Sequence, residues 1–161
     1  MKKKGFTLIE LLVVIAIIGL LTTLAVVALN SARAKSRDAR RVSDIRQIQT
    51  AIELFFNSRS QSQYPWQVTA GTGIILGSTS FNCLDDDGFG TACSGNVYMG
   101  LVPENPGPGG ADYVYTALET GTGECTVSPQ ICDSYQITFS LEGRVEQLNP
   151  GAHVATQDGI Q

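Results

Sequence analysis

Glu10 is the residue whose position demands most of its surroundings. It is the single charge in the run from Phe6 to Leu29, and a carboxylate carried into hydrocarbon costs about 2.5–3.5 kcal/mol or more. Just before it, Gly5-Phe6 sets a small residue against a large one, a junction a protease can read. A cut there removes Lys2, Lys3 and Lys4, takes the net charge from −4 to −7, and leaves a new α-amine on Phe6. That amine lies one helical turn from Glu10 of its own chain, and the amine of a neighbouring chain can reach the same carboxylate. A paired charge is tolerated in a dry site where a lone one is not. The spacing therefore supports charge-selected assembly, in which an incoming subunit neutralises Glu10 of one already placed. A protonated acid and a carboxylate snorkelling to the interface are the two plainer readings of Glu10, and neither conflicts with that role.

The other reactive residue types lie far along the chain. Asp85-Asp86-Asp87-Gly88 puts hard oxygen ligands before a turn, with Asp85 and Asp87 as candidate Ca2+ ligands, though no Glu closes the spacing of an EF-hand. An Asp-rich exposed turn explains the same residues without an ion. Cys83, Cys93, Cys125 and Cys132 include no CxxC pair, and His153 is the lone histidine, so the spacings fit zinc motifs poorly. An even count in an exported domain reads as two disulfides, with three connectivities open. The local pairs Cys83–Cys93 and Cys125–Cys132 are favoured, because each closes a loop rich in Gly, Asp, Ser or Pro. Four reduced thiols in a cytosolic protein is the alternative, and the basic leader argues against it. His153 reads as solvated near a loose end. Gly107-Pro108-Gly109-Gly110 lacks the Lys-Ser/Thr of a phosphate loop, and no GxSxG, HExxH or Cys–His pairing occurs. The sequence therefore points to no enzyme.

The elements that carry these residues follow from patterning. Phe6 to Leu29 is long enough to span a bilayer as a helix. Three readings compete for it. A secretory signal has a shorter apolar core and no acid inside it. A plain anchor gives Glu10 and Gly5-Phe6 no task. A cleaved leader before a retained helix accounts for both. No proline occurs before Pro65, so the helix continues past the membrane. Val42, Ile45, Ile48, Ile52 and Phe55 recur at steps of three and four, an apolar stripe that needs a partner surface. Asp38–Arg41 and Arg40–Asp44 are spaced to pair along the helix surface for tenths of a kcal/mol each.

Beyond Tyr64-Pro65 the period changes to two. Tyr135, Ile137, Phe139 and Leu141 alternate with polar residues as a half-buried strand. Glu142-Gly143 reads as a turn into Val145–Leu148 as hairpin partner, and Tyr113–Leu118 reads as a third strand. The expected fold is α+β, a long N-terminal helix packed on a small antiparallel head. The divisions are residues 1–5 as leader, 6–30 as membrane-spanning or core helix, 31–58 as its amphipathic half and 59–161 as the head.

Charge is divided the same way. Residues 1–59 hold ten cations against four acids, a net of +6, and residues 60–161 hold one cation against eleven acids, a net of −10. An acidic head is unsuited to nucleic acid, which needs a basic patch. Arg33, Lys35, Arg37, Arg40 and Arg41 form a basic collar on the far flank of the apolar run, so loop charge alone does not orient the helix. The collar suits either the acidic heads of adjacent subunits or a solvated face at anionic headgroups.

Gly5-Phe6-Thr7-Leu8-Ile9-Glu10 resembles the prepilin signal of type IV pilins and type II secretion pseudopilins. The resemblance is close over about thirty residues. It continues weakly through Leu101-Val102-Pro103-Glu104-Asn105-Pro106 and Tyr113-Val114-Tyr115. It implies cleavage after Gly5 by a membrane prepilin peptidase, N-methylation of Phe6, and a registry role for Glu10. The implied product is a homo-oligomeric filament built by pilus assembly machinery, with the subunit held in the cytoplasmic (inner) membrane beforehand. The chain departs from the family pattern at Val27, where many members carry proline, and in a tail, Gly151–Gly159, too poor in acids for the pseudopilin calcium loop. That favours a surface pilin over a secretion pseudopilin. A monomeric membrane-anchored binding module needs neither Glu10 nor cleavage.

Overall fold

The computed structural model describes residues 5, 7–59, 62–67, 72–119, 123–126 and 131–161. One helix, α1 (Leu8–Ser58), runs for 51 residues. Thr7 caps its start in extended conformation, and a reciprocal capping box links Thr7 and Glu10. It ends where Arg59 turns extended (ψ 135°), shortly before Pro65. Leu8 to Leu29 is exposed along its whole length. By length and composition, this is the one described helix able to cross a membrane.

The head packs on the far half. Its larger sheet is antiparallel in the order β1 (Ile74–Ile75), β5 (Val114–Glu119), β7 (Ser134–Leu141), β8 (Gly151–Thr156), β9 (Gly159–Ile160), with β6 (Gly123–Glu124) paired to β5. A smaller antiparallel sheet has the order β3 (Gly88–Gly90), β2 (Cys83–Asp85), β4 (Val97–Met99). β7 alternates strictly, with Tyr135, Ile137, Phe139 and Leu141 inward. Val42, Ile45, Ile48, Ile52 and Phe55 are buried against them in one core with Tyr113 and Tyr115. Burying each large side chain contributes about 1.5–3 kcal/mol, so the stripe holds the head on the helix. The fold is α+β, as the periodicities require. Cys83 is bonded to Cys93 and Cys125 to Cys132.

Three expectations are corrected. The partner of β7 is β8, with Phe139 opposite His153 and Leu141 opposite Gly151, rather than Val145–Leu148. The chain leaves the sheet because the backbone N–H groups of Glu142 and Gly143 donate to the Asp38 carboxylate at 3.0 and 2.7 Å. Val145 and Leu148 then close on each other in an isolated bridge, with Glu146 left-handed between them (φ 52°). His153 is held rather than loose. Its ring lies 5.5 Å from that of Phe139, and its two nitrogens face the carbonyls of Asn149 and Gln161 at 2.7 and 3.0 Å. The Asp38–Arg41 pair is buried, not a surface pair.

Four tyrosines of the core register this burial. Tyr64 is raised to about 12 by desolvation and by Glu53 beside it. Burial raises Tyr113, Tyr115 and Tyr135 above the ordinary tyrosine range as well. A group raised in the folded state favours folding fully below its unfolded pKa and less above it. The head is therefore expected to lose stability as pH climbs past about 10, the unfolded tyrosine value. Circular dichroism melts of the full chain in detergent across pH 8 to 12 check this, and an unchanged midpoint contradicts it. In the same assay Ile48→Ala should cost about 2–5 kcal/mol, and Leu54→Ala, on the exposed back of α1, less than about 0.5.

Candidate assembly surface

Two places on α1 concentrate charge, and they do different things. The first is its N-terminus. Glu10 Oε2 accepts from the Thr7 backbone N–H at 2.8 Å and from the Thr7 hydroxyl at 2.7 Å, and the Glu10 N–H donates to Thr7 Oγ1 at 3.3 Å. Thr7 is the cap because its side-chain oxygen takes an N–H that the first helical turn leaves unpaired. Glu10 suits the third position because negative charge is favoured at the positive end of the helix. A single subunit thus gives the carboxylate two donors but no cation among the described residues. Gly5 is exposed. Phe6 and Lys2 to Lys4 lie outside the described residues, so the junction and the new amine have no described geometry.

The second is the neck, where α1 first meets the head. Arg41 is fully buried, and each of its five N–H donors finds an acceptor. Nε donates to Asn105 Oδ1 at 2.7 Å, one terminal nitrogen to Asp38 Oδ1 at 2.6 Å and Glu142 Oε1 at 2.7 Å, and the other to the carbonyls of Pro106 and Gly109. Arg37 adds a bidentate pair to Glu142 at 2.8 and 2.6 Å. A guanidinium is the one cationic group with a planar fork able to hold five acceptors on three segments. The loop before β5 comes close enough only because it is glycine. Gly110 has φ 77°, and a Cβ there would stand 2.8 Å from the guanidinium. Glu142 is held down to about 2, first by its hydrogen bond from Arg37 and then by that from Arg41.

The basic collar is therefore not one surface. Arg41 and Arg37 are turned into their own head, and Arg33, Lys35 and Arg40 face out. The sequence reading missed this neck. The signal lay in spacing, since 34, 38, 41 and 45 continue the stripe backward by steps of four, three and four. Charge at core-facing positions concealed it.

The two candidate Ca2+ ligands, Asp85 and Asp87, sit in different surroundings. Asp85 is buried and accepts backbone N–H groups from Asp87 and Ser94, one on each oxygen, while Asp87 is exposed. Asp86 caps the same loop by accepting from Tyr98 and Asn96, and the Tyr98 bond first, then that of Asn96, holds its carboxyl below the usual range. Cys83, Asp85 and Cys93 cluster within 4.8 Å, but both sulfurs are spent in a disulfide, which has no thiolate to offer a metal. The Asp85 and Asp86 carboxylates thus form the hydrogen-bonded frame of the loop.

Residues 1–26 match the prokaryotic N-terminal methylation motif. The chain is 33% identical over 118 residues to the type IV major fimbrial protein FimA of Dichelobacter nodosus, covering 73% of this chain and 65% of that one. It is 22% identical over 167 residues to the type IV major pilin protein PilA of Myxococcus xanthus, covering 89% and 73%. A fimbrial protein of Pseudomonas aeruginosa is 43% identical over 51 residues, about a third of each chain. The chain thus spans just under two thirds of the first relative's length and a third of the last's. No solved structure matches it. The matches bear out the type IV pilin resemblance read from the N-terminus.

The neck makes two expected outcomes. Arg41→Met, which strands the buried Asp38 carboxylate, should cost about 3–5 kcal/mol, and Arg41→Lys should recover only part because an ammonium has three donors for five acceptors. Urea titration of the full chain in detergent measures both. Glu142 is lowered on folding, so its contribution is present above its ordinary value of 4.5 and is lost as pH falls towards about 2. Asp44, raised by burial, opposes it. Glu142→Gln should flatten the acid limb of stability between those two values, and an unaltered limb contradicts the assignment.

Proposed function

We propose that this chain, whose likeness is to the type IV pilins, is a structural subunit of a type IV pilus-like extracellular filament. The observation that carries the proposal is the methylation motif on residues 1–26 joined to an apolar helix that nothing in its own head covers. A helix exposing every large side chain from Leu8 to Leu29 must lie in lipid or against copies of itself. Both surroundings are apolar, so transfer from membrane to filament core costs little. The subunit waits in the cytoplasmic membrane with its head outside. A prepilin peptidase cuts between Gly5 and Phe6 and methylates the Phe6 amine, and the assembly machinery then inserts the subunit. Glu10 sets registry by taking a neighbour's amine.

No catalytic role enters this reading. Asp38, Asp86 and Glu142 are engaged in caps and ion pairs, and Tyr113, Tyr115 and Tyr135 in core packing. A pseudopilin of a secretion system shares the helix and the cut but does not leave the envelope as a surface fibre.

Two measurements test the proposal together. Mass spectrometry of the chain from sheared surface fibres should give an N-terminus at Phe6 carrying one methyl group. A chain found only in the envelope, or one still beginning at Met1, contradicts it.

A further inference from the structure

We propose that each subunit docks the Arg33/Arg40 flank of its stem into an acidic groove on the next copy, through Glu53 and Asp158. The inference rests on the filament reading above and names the contact that orders the heads around its axis.

With about 100° of turn per residue, Arg33 and Arg40 share one flank of α1, since seven residues make nearly two turns. Both are exposed. Arg40 pairs with Asp44 on the same helix at 3.8 Å, as its spacing predicts, and its side chain stays 68% exposed. Arg37 and Arg41, which lie between them in sequence, are taken by Glu142 and Asp38 within the same subunit. The stem therefore keeps outward cations that its own head does not neutralise.

The complement lies about 150° around the stem and about 20 Å farther along its axis. There α1 and the β8–β9 turn bound an open groove of about 470 Å³, lined by Glu53, Asp158, Gln157, Gln49 and Tyr135 together with Arg46. Asp158 is exposed and Glu53 half-buried. Arg46 does not cancel them, because Glu146 pairs with it at 2.8 Å. Tyr135 is fully buried at the floor of the groove, beside Gln49 and Glu53. An incoming guanidinium brings donors for the two carboxylates.

The occupant is a second copy because the charges are complementary and sit on opposed flanks. A patch that meets a different patch makes a heterologous contact, and an axial offset keeps such a contact from closing into a ring. The predicted product is an open helical array, with a step set by the offset between Arg40 and Glu53. An anionic lipid surface is the competing occupant of the cations, but it leaves the groove without a task.

The test is a charge exchange in the full chain. Arg40→Glu and Asp158→Arg should each cut the yield of sheared fibres by about tenfold, the effect of one like-charge pair of about 1.4 kcal/mol, and the double variant should recover it. Detergent-solubilised Asp158→Arg subunits should keep the wild-type melting midpoint, whereas Arg40→Glu, which sets a like charge beside Asp44, should lower it, so its fibre yield is compared with that of the double variant. A photo-crosslinking amino acid at position 36, exposed on the same flank, should join fibres at the peptide containing Gln157 and Asp158. Wild-type fibres together with an unrecovered double variant, or with crosslinks only to lipid or to another peptide, overturn the docking surface and leave the filament reading intact. Absence of wild-type fibres overturns both.

Discussion

A carboxylate on an otherwise apolar helix is the constraint that orders everything else. Glu10 is followed by uninterrupted apolar and small residues to Leu29, so its charge has no relief farther along the helix. Within one subunit the relief is local. The Thr7 N–H and hydroxyl hold one carboxylate oxygen, and the positive end of the helix favours the charge. These hydrogen bonds engage one oxygen but leave a net charge, which an apolar medium disfavours. In the proposed filament a neighbour's amine supplies the missing cation, and the proposed cleavage between Gly5 and Phe6 is the reaction that makes it.

The same helix must then carry that register to the head without bending. Two fastenings flank the apolar stripe. At the neck, Arg41 gathers Asp38, Asn105, Glu142 and two backbone carbonyls. At the upper end, Arg59 lies 4.8 Å over Phe55 and 5.6 Å over Trp66 and reaches the carbonyl of Asp86. Tyr98 ties Asp86 to Ser58 there. Between them Ile45, Ile48 and Ile52 are fully buried. The head is thus held over some twenty residues of α1, about 30 Å, and the position of Glu10 is coupled to the placement of the head surface.

What the sequence discloses depends on how local the physics is. The helix, its stripe and strand β7 were legible because each repeats one period over several residues. The Thr7–Glu10 cap, a contact over three residues, was open to the same local reading but went unread, because Glu10 was weighed only for its charge. The neck was not, because Arg41 meets Asn105, Pro106, Gly109 and Glu142 across more than sixty positions. The Val145–Leu148 hairpin failed for the same reason, since Asp38, a hundred residues upstream, draws the Glu142–Gly143 backbone out of the sheet. Charged residues at core-facing positions read as surface until their partners are known.

The most direct measurement concerns the acid itself. Glu10→Gln keeps the shape, the capping bonds to Thr7 through its carbonyl, and the fold of the head, and removes only the charge. The account predicts normal membrane insertion and cleavage of this variant, with sheared fibre yield reduced by about tenfold or more, the loss of at least one charge pair of about 1.4 kcal/mol. Wild-type quantities of fibre from Glu10→Gln, assembled at the wild-type rate, would contradict the claim that a neighbour's amine must find a carboxylate there.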